Sequence, residues 1–347
     1  MISSFFIIIL TSIVICGCEA DMEIEHEDIE PKLIVQSYLS NEDSVVVVLS
    51  STSSIFADNL PQNKDNSIYN VMVSINGSEY KTMERDDTYN TLAAKLEDPF
   101  IDSTGKVGSN LIPESGSKAF IYKYTPMEGD NLSIMIENFT TGETYSAQTT
   151  IPSKPVYKLE VISLDTLYTD DAPPFKLMGE YLGITLKCTI YDPAGEKNFY
   201  KLEYIDYIND GNIYRNGRRV IRRVISDDPI FNESSIVSPY FSDNLFNGKS
   251  YSFIFSAPIY PGNRIKINNE IYSIIHGNFR LRQLSEEMYL FLKSHESYVS
   301  NSRNILSVPY KVYSNINGDS FGVIGSAYHS YSDTLKYSMK CTYTYLF

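Results

Sequence analysis

Residues 132–151 read LSIMIENFTTGETYSAQTTI, and this stretch decides the fold class. Apolar and polar side chains alternate over 132–139 and again over 144–151. A period of two is typical of a half-buried β-strand, and the short Thr141-Gly142-Glu143 segment between the two runs reads as a turn. The stretch therefore predicts a β-hairpin with one face of each strand in a core.

The same pattern continues toward the N-terminus. Short β-branched runs at 32–39, 44–50 and 69–75 predict three more strands. The Asn76-Gly77 pair that follows is a strong hairpin signal, because both central residues of such a turn must accept a positive φ. About seven strands over ~120 residues predict an immunoglobulin-like β-sandwich.

Two prolines, Pro152 and Pro155, follow the hairpin. Because proline cannot donate to a strand ladder, this segment predicts a domain boundary. We therefore expect an N-terminal β-sandwich over 31–152 and a C-terminal β-rich domain over 156–347. The strand-like runs of the second domain are 156–167, 181–191, 199–208, 250–256, 264–267, 270–275, 308–313, 321–328 and 335–346.

One helix is predicted near 285–299. Ser285 is a candidate N-cap, and Glu286 and Glu287 fall in the first turn, where the helix dipole favours anions. Apolar side chains then recur at spacings of three and four, which indicates a packing face. These residues are Leu284, Met288, Phe291, Leu292, His295 and Val299.

The composition excludes several classes of protein. The 347 residues include 43 Asp and Glu against 29 Lys and Arg, which gives a formal net charge of -14. This balance argues against nucleic-acid binding, which needs a basic face, and the 43% hydrophobic content argues against disorder. Four cysteines are too few for a disulfide scaffold. Cys188 and Cys341 lie on the apolar faces of alternating runs, where they either pair or remain free.

The N-terminus predicts the compartment. Residues 3–17 are apolar, and Ile15-Cys16-Gly17-Cys18 fits a bacterial lipobox. We expect a signal peptide over 1–17, a lipid on Cys18, and an acidic tether over 18–30. An ordinary secretory peptide followed by a solvated linker is the alternative, because the leader lacks Lys and Arg.

The sequence predicts no catalytic or metal-binding motif. The sequence contains no HExxH, HxH or CxxC spacing and no G-x-S-x-G elbow. The segment 115–118 matches S-x-x-K, but it lacks the partner motifs that this acyl-transfer chemistry needs. We therefore expect a protein that is not an enzyme and that has no cofactor.

Two sets of residues are candidate contacts. The first is an arginine cluster around the Asn216-Gly217 turn, in which planar guanidinium groups suit phosphates, acidic loops of a partner or an anionic ligand. The alternative is an exposed hairpin that pairs locally with nearby aspartates. The arginines are Arg215, Arg218, Arg219, Arg222 and Arg223. The second set consists of tyrosines in loops or at edges, whose polar tips suit recognition. They are Tyr328 and Tyr331, with Tyr168, Tyr240 and Tyr260 as further candidates.

Residues 278–325 resemble the C-terminal signature of the Bacteroidota domain-of-unknown-function family 4249. In that signature a strand leads into a Ser-Glu-Glu helix, and a proline-containing strand then leads into a Ser-Asn-Ile segment with a glycine-rich turn. The matching residues are Leu284, Ser285, Tyr289, Leu292, Pro309, Ser314, Asn315, Ile316, Asn317, Gly318, Phe321 and Gly322. Segments 31–35, 149–152 and 241–251 match the general layout of the family, and Asp319-Ser320 extends the glycine turn.

The resemblance implies a lipoprotein at the outer membrane that faces the cell surface or the periplasm, and we expect it at the cell surface. Members are often encoded beside a TonB-dependent receptor, which implies a role in nutrient uptake like that of the SusD half of a SusC/SusD-like pair. Such a protein would capture a ligand or cover the barrel. The alternative is a structural or assembly subunit of another outer-membrane complex, without a small ligand. The family carries no established catalytic residues, so none is transferred.

Overall fold

The structure of the protein is a computed structural model that describes residues 32–52, 68–86, 99–101, 107–109, 117–167, 181–208, 218–222, 224–231, 239–259, 264–267, 270–301, 311–332 and 335–340. The described chain is mainly β, with several sheets and one α-helix, so the predicted fold class is confirmed. The predicted division into two domains stays a prediction.

The strands are numbered in chain order. They are β1 (Leu33–Ser40), β2 (Val45–Ser51), β3 (Tyr69–Ile75), β4 (Lys81–Thr82), β5 (Glu84–Asp86), β6 (Pro99–Ile101), β7 (Val107–Ser109), β8 (Lys118–Tyr122), β9 (Asn131–Asn138), β10 (Thr144–Thr150), β11 (Tyr157–Leu167), β12 (Tyr181–Tyr191), β13 (Phe199–Ile208), β14 (Arg218–Arg222), β15 (Tyr240–Ser242), β16 (Ser250–Ile259), β17 (Arg264–Ile267), β18 (Glu270–Leu284), β19 (Ser320–Tyr331) and β20 (Leu335–Lys340). Short 3-10 helices lie at Pro229–Phe231 and Asp243–Leu245, and helix α1 spans Glu286–Asn301.

One large sheet runs through the molecule. Among the described residues it has eleven strands, eight of them in the order β14-β13-β18-β19-β1-β2-β8-β5. Strand β15 pairs with β13, and β17 and β20 pair with β18. Strands from the N-terminal and C-terminal parts of the chain therefore share this sheet.

The first sandwich packs a second sheet on one part of the large one. This sheet has the order β10-β9-β3-β4, and it includes the hairpin predicted from residues 132–151. Burial alternates along β9, so that Leu132, Ile134 and Ile136 are fully enclosed. They share a core with residues of β1, β2 and β8 that include Val35, Val47 and Phe120. Enclosing each such side chain contributes roughly 1.5–3 kcal/mol, which makes this core the main support of the first sandwich.

Strand β19 completes the first sandwich from the other end of the chain. It pairs in parallel with β1, from Leu33 opposite Ser320 onward, and contributes Ile324 to the first core. At Gly322 the strands approach so closely that a Cβ atom would lie against the carbonyl oxygen of Val35, and φ is 115°. Glycine is required there on both counts.

The second sandwich is built in the same way. Its outer sheet has the order β11-β12-β16 and faces β13, β15 and β18 of the large sheet. The core between them is rich in aromatic rings, and the edge-to-face contacts of Phe231 with Phe241 and Phe253 are examples. Cys188 lies in this core as a free thiol, and burial raises its pKa to about 12.

Helix α1 begins where the sequence predicts it to begin. The hydroxyl of Ser285 accepts a hydrogen bond from the backbone N–H of Met288 at 3.3 Å, as expected for an N-cap. Met288 and Phe291 are buried, and Met288 packs against Gly325 of β19. The predicted apolar stripe therefore attaches the helix to the face of the large sheet that lies opposite the first core.

Two local predictions need correction. Asn76 and Gly77 do form a turn with positive φ, but β4 begins only at Lys81, so the hairpin loop is longer than two residues. The strand expected over 308–313 is absent from its described part, because residues 311–316 lie outside any strand. They instead place Ile316 in the first core.

Candidate functional site

Register within the large sheet gathers charged side chains on the face that carries α1. Glu203 of β13 lies opposite Arg280 of β18, and Arg280 lies opposite Tyr331 of β19. One row further along, Arg282 of β18 lies opposite His329 of β19. We call these residues, together with Lys201 and Glu42, the Glu203 cluster.

The carboxylate of Glu203 is the centre of this cluster. Its side chain is 0% exposed, and its Oε2 accepts hydrogen bonds from the Nε atoms of Arg280 at 2.5 Å and Arg282 at 3.1 Å. Lys201 Nζ lies 3.7 Å from Oε1, which is too long for a hydrogen bond, and Oε1 has no hydrogen-bond partner. Three cations thus share one fully buried carboxylate.

His329 extends the cluster to the loop after β1. Burial, reinforced by Arg282, lowers the pKa of His329 to about 3, so the imidazole is neutral at pH 7. Its Nδ1 lies 3.0 Å from Glu42 Oε2, and because a carboxylate only accepts, Nδ1 must carry the proton. The backbone N–H of His329 also donates to the side-chain oxygen of Asn41 at 2.7 Å. These bonds attach the β1–β2 loop to β19.

Tyr331 joins the two halves of the cluster. Its hydroxyl donates to Glu42 Oε2 at 3.0 Å and accepts from Arg280 Nη1 at 3.2 Å. Burial alone would raise the pKa of Glu42, but hydrogen bonds from His329 and Tyr331 outweigh it, so the pKa lies below its usual value. These contacts connect β13, β18, β19 and the β1–β2 loop. The cluster therefore holds these elements together through ion pairs and hydrogen bonds.

The structure separates the two predicted tyrosines. Tyr331 lies in the Glu203 cluster, whereas Tyr328 points to the opposite face of β19 and packs against the first core. Tyr240 was expected at an exposed edge, and this expectation is wrong. Its ring is buried against Tyr289, and its hydroxyl donates to Glu296.

The arginine set falls partly in a strand. Arg218, Arg219 and Arg222 belong to β14, which pairs antiparallel with β13 and lies at one end of the described strand order. Charged residues on such a strand also discourage edge-to-edge aggregation. Their role as contacts stays a prediction. Arg215, Arg223, Tyr168, Tyr260 and Cys18 lie outside the described residues.

The sequence contained a weak signal for the Glu203 cluster. The triplets at 201–203 and 280–282 each place two charges on either side of one leucine. That spacing puts both charges on one face. Two strands that carry complementary triplets of this kind can pair through their charges. The sequence does not tell which strands are neighbours, however, and only the register of the sheet shows that these two triplets meet.

Within the described residues, no group of three or more His, Cys, Asp or Glu side chains is placed to hold a metal ion. No helix in the same part of the chain has the length and apolar character needed to cross a membrane.

Comparison with known proteins gives one strong match. No curated protein matches the chain. Among solved structures, a protein from Corynebacterium diphtheriae that is named as membrane anchored aligns at 10% identity over 73% of this chain and 54% of its own, with a TM-score of 0.17. The B domain of a biofilm associated protein aligns at 8% identity over 86% of this chain and 85% of its own, with a TM-score of 0.16. The family Domain of unknown function (DUF4249) matches residues 19–332. The chain therefore belongs to the DUF4249 family.

Proposed function

We propose that this protein is a lipid-anchored accessory of a TonB-dependent receptor in the outer membrane, without enzymatic activity. The observation that carries the proposal is the position of the family match, which begins at residue 19, directly after Cys18 of the lipobox. A cleaved and acylated Cys18 would leave the matched region as the mature protein. Capture of a ligand, or covering of the barrel, would be its contribution to nutrient uptake.

A protein partner is supported by the outer face of the sheet β11-β12-β16, which we call the outer sheet face. Ile162 of β11 is 52% exposed and Ile254 of β16 is 54% exposed. Tyr191 at the end of β12 is also exposed, and its backbone N–H bonds to the carbonyl of Val156, another exposed apolar residue. Apolar side chains gathered on one face of a sheet are typical of an interaction surface.

Polar side chains lie between and beside these residues, because Lys187 of the central strand β12 lies opposite both Glu160 of β11 and Ile254 of β16. Thr185 and Ser256 share a hydrogen bond of 2.8 Å across the strands, and Lys158 bonds to Glu160 at 2.7 Å. Apolar side chains interspersed with satisfied polar ones match the overall composition of a non-obligate protein interface. The outer sheet face is thus our candidate for contact with the receptor.

Affinity purification tests the proposal. The full chain with a C-terminal tag is extracted from its own cells in mild detergent, and mass spectrometry identifies the proteins that accompany it. We expect a TonB-dependent barrel. Recovery of a different outer-membrane complex would favour the structural or assembly role instead, and recovery of no outer-membrane protein would contradict both roles.

Three variants sharpen the test. The Ile254→Asp change should remove the barrel from the purified material, because it replaces an exposed apolar side chain of the contact by a charge that would be desolvated on binding. Met127→Asp is the matched control, since Met127 is 64% exposed in the first sandwich, and it should retain the barrel. Cys18→Ala should release the protein from the membrane fraction, and a variant that stays membrane-bound would show that the lipobox interpretation is wrong.

A further inference from the structure

One end of the first sandwich is the end at which the N-terminal segment enters. Strand β1 begins there at Leu33 and β19 begins beside it at Ser320. The second layer ends at the same place, because Lys118 Nζ lies 5.0 Å above the ring of Tyr69, the first residue of β3. We call this region the tether end.

The tether end exposes large apolar side chains. Ile68 and Phe139 are each 65% exposed, and they are neighbours, since the backbone N–H of Phe139 donates to the carbonyl of Ile68 at 2.9 Å. Phe321 at the start of β19 is 41% exposed, with Lys32 Nζ 5.7 Å from its ring centre. Aromatic and aliphatic side chains beside lysines whose stems lie along them are the usual composition of a membrane interface.

The charged groups of this end are already satisfied. Lys32 pairs with Asp319 at 2.6 Å, and Glu143 accepts hydrogen bonds from Tyr145 at 2.7 Å and Thr141 at 2.9 Å. The Asp319 and Glu143 carboxylates keep their charges, which can stay in water at the level of the lipid headgroups while the apolar side chains enter. Burial of the apolar side chains would provide the attraction.

The point at which the chain enters the sandwich distinguishes this end from the opposite one. Lys32 follows Cys18 by fourteen residues, which span at most about 50 Å when fully extended. Met127 at the opposite end is as apolar and, at 64%, as exposed as Phe139. Composition alone therefore does not distinguish the two ends, whereas the connection to Cys18 does.

We propose that the tether end lies against the bilayer that holds Cys18, with Ile68 and Phe139 inserted among the lipid headgroups. The inference rests on the proposed lipid anchor and adds an orientation to it. The outer sheet face is then free to meet a protein that stands in the same membrane.

Site-specific fluorescence tests this orientation. The full, acylated chain carries either Phe139→Cys or Met127→Cys, each coupled to an environment-sensitive fluorophore, in a Cys341→Ser background. Cys188 will not compete for the label because it is buried and its pKa is raised. The protein is reconstituted in vesicles of phosphatidylethanolamine and phosphatidylglycerol that contain nitroxide-labelled lipid.

We expect quenching and a blue shift for the label at position 139 and neither change at position 127. An Ile68→Cys variant repeats the measurement at the same end, in case the first substitution disturbs the turn. Equal quenching at both ends, or no quenching at 139 and 68 in vesicle-bound protein, would overturn the proposed orientation while leaving the anchor intact. Protein that does not float with the vesicles would contradict the anchor itself, and the orientation with it.

Discussion

Replacing Glu203 by glutamine keeps the shape of the side chain and removes its negative charge. Glu203 is fully buried, and its carboxylate holds the Nε atoms of Arg280 and Arg282 within 3.1 Å, with Lys201 Nζ at 3.7 Å. Removing one partner of a buried ion pair typically destabilises a protein by about 3–5 kcal/mol, because the remaining charge stays in a poorly solvating environment. We expect the Glu203→Gln variant to lose stability within this range, which is a large part of the ~5–15 kcal/mol available to a domain.

Urea denaturation measures this loss. The chain has 28 tyrosines and no tryptophan, so tyrosine fluorescence and near-ultraviolet circular dichroism are the natural probes. The matched control is Glu160→Gln, which removes a carboxylate that pairs with Lys158 at 2.7 Å on the outer sheet face. Both side chains of that pair are largely exposed, so water screens their interaction, and the free energy of unfolding should barely change.

The comparison of the two glutamine variants tests whether the Glu203 cluster stabilises the large sheet. If the two glutamine variants unfold at the same urea concentration, the buried carboxylate contributes no more than a surface one, and the reasoning is refuted. A loss confined to Glu203→Gln, with the slope of the transition unchanged, would support it, because an unchanged slope indicates the same exposed surface on unfolding.

Acidification from pH 7 to pH 5 should destabilise the protein by roughly 2 kcal/mol through His329. The pKa of His329 is about 3 in the folded state and about 6.5 in the unfolded state, so the unfolded state binds more protons in this window. Denaturation at both pH values should show a smaller difference for His329→Gln. Gly322→Ala should lower the melting temperature far more than Gly142→Ala, because both glycines have a positive φ but only Gly322 lies against the carbonyl oxygen of Val35; equal losses would exclude the clash. A chain cut to residues 1–152 should not show a cooperative unfolding transition, because it lacks the β19 strand that covers β1; a stable fragment would instead support the predicted domain boundary.

Features that depend on local pattern were predictable from the sequence. Alternation along 132–151 predicts the β9–β10 hairpin, and the Ser285 cap with its two following glutamates predicts the start of α1. In both cases the residues that determine the structure are neighbours in the chain, so periodicity and capping chemistry are sufficient.

Features that depend on register between distant strands were not predictable. Glu203 and Arg280 are 77 residues apart, and each one alone reads as an ordinary charge on a strand. The exposure of Tyr240 was wrongly predicted for a similar reason, since helix α1 covers it from a later part of the chain. Propensity describes what one strand prefers, whereas burial depends on which elements pack against it.

The parallel pairing of β1 with β19 has a consequence for the time at which the protein can fold. Leu33 pairs with Ser320, so almost the whole chain must be synthesised before the second edge of the first strand is covered. Contacts of such long sequence separation slow folding, because closing the intervening loop costs entropy before the strand pairing contributes any stability. For a chain exported through a membrane, as proposed here, this delay has a use. The polypeptide would remain unfolded during translocation, and the first sandwich would close only after nearly all of it had crossed.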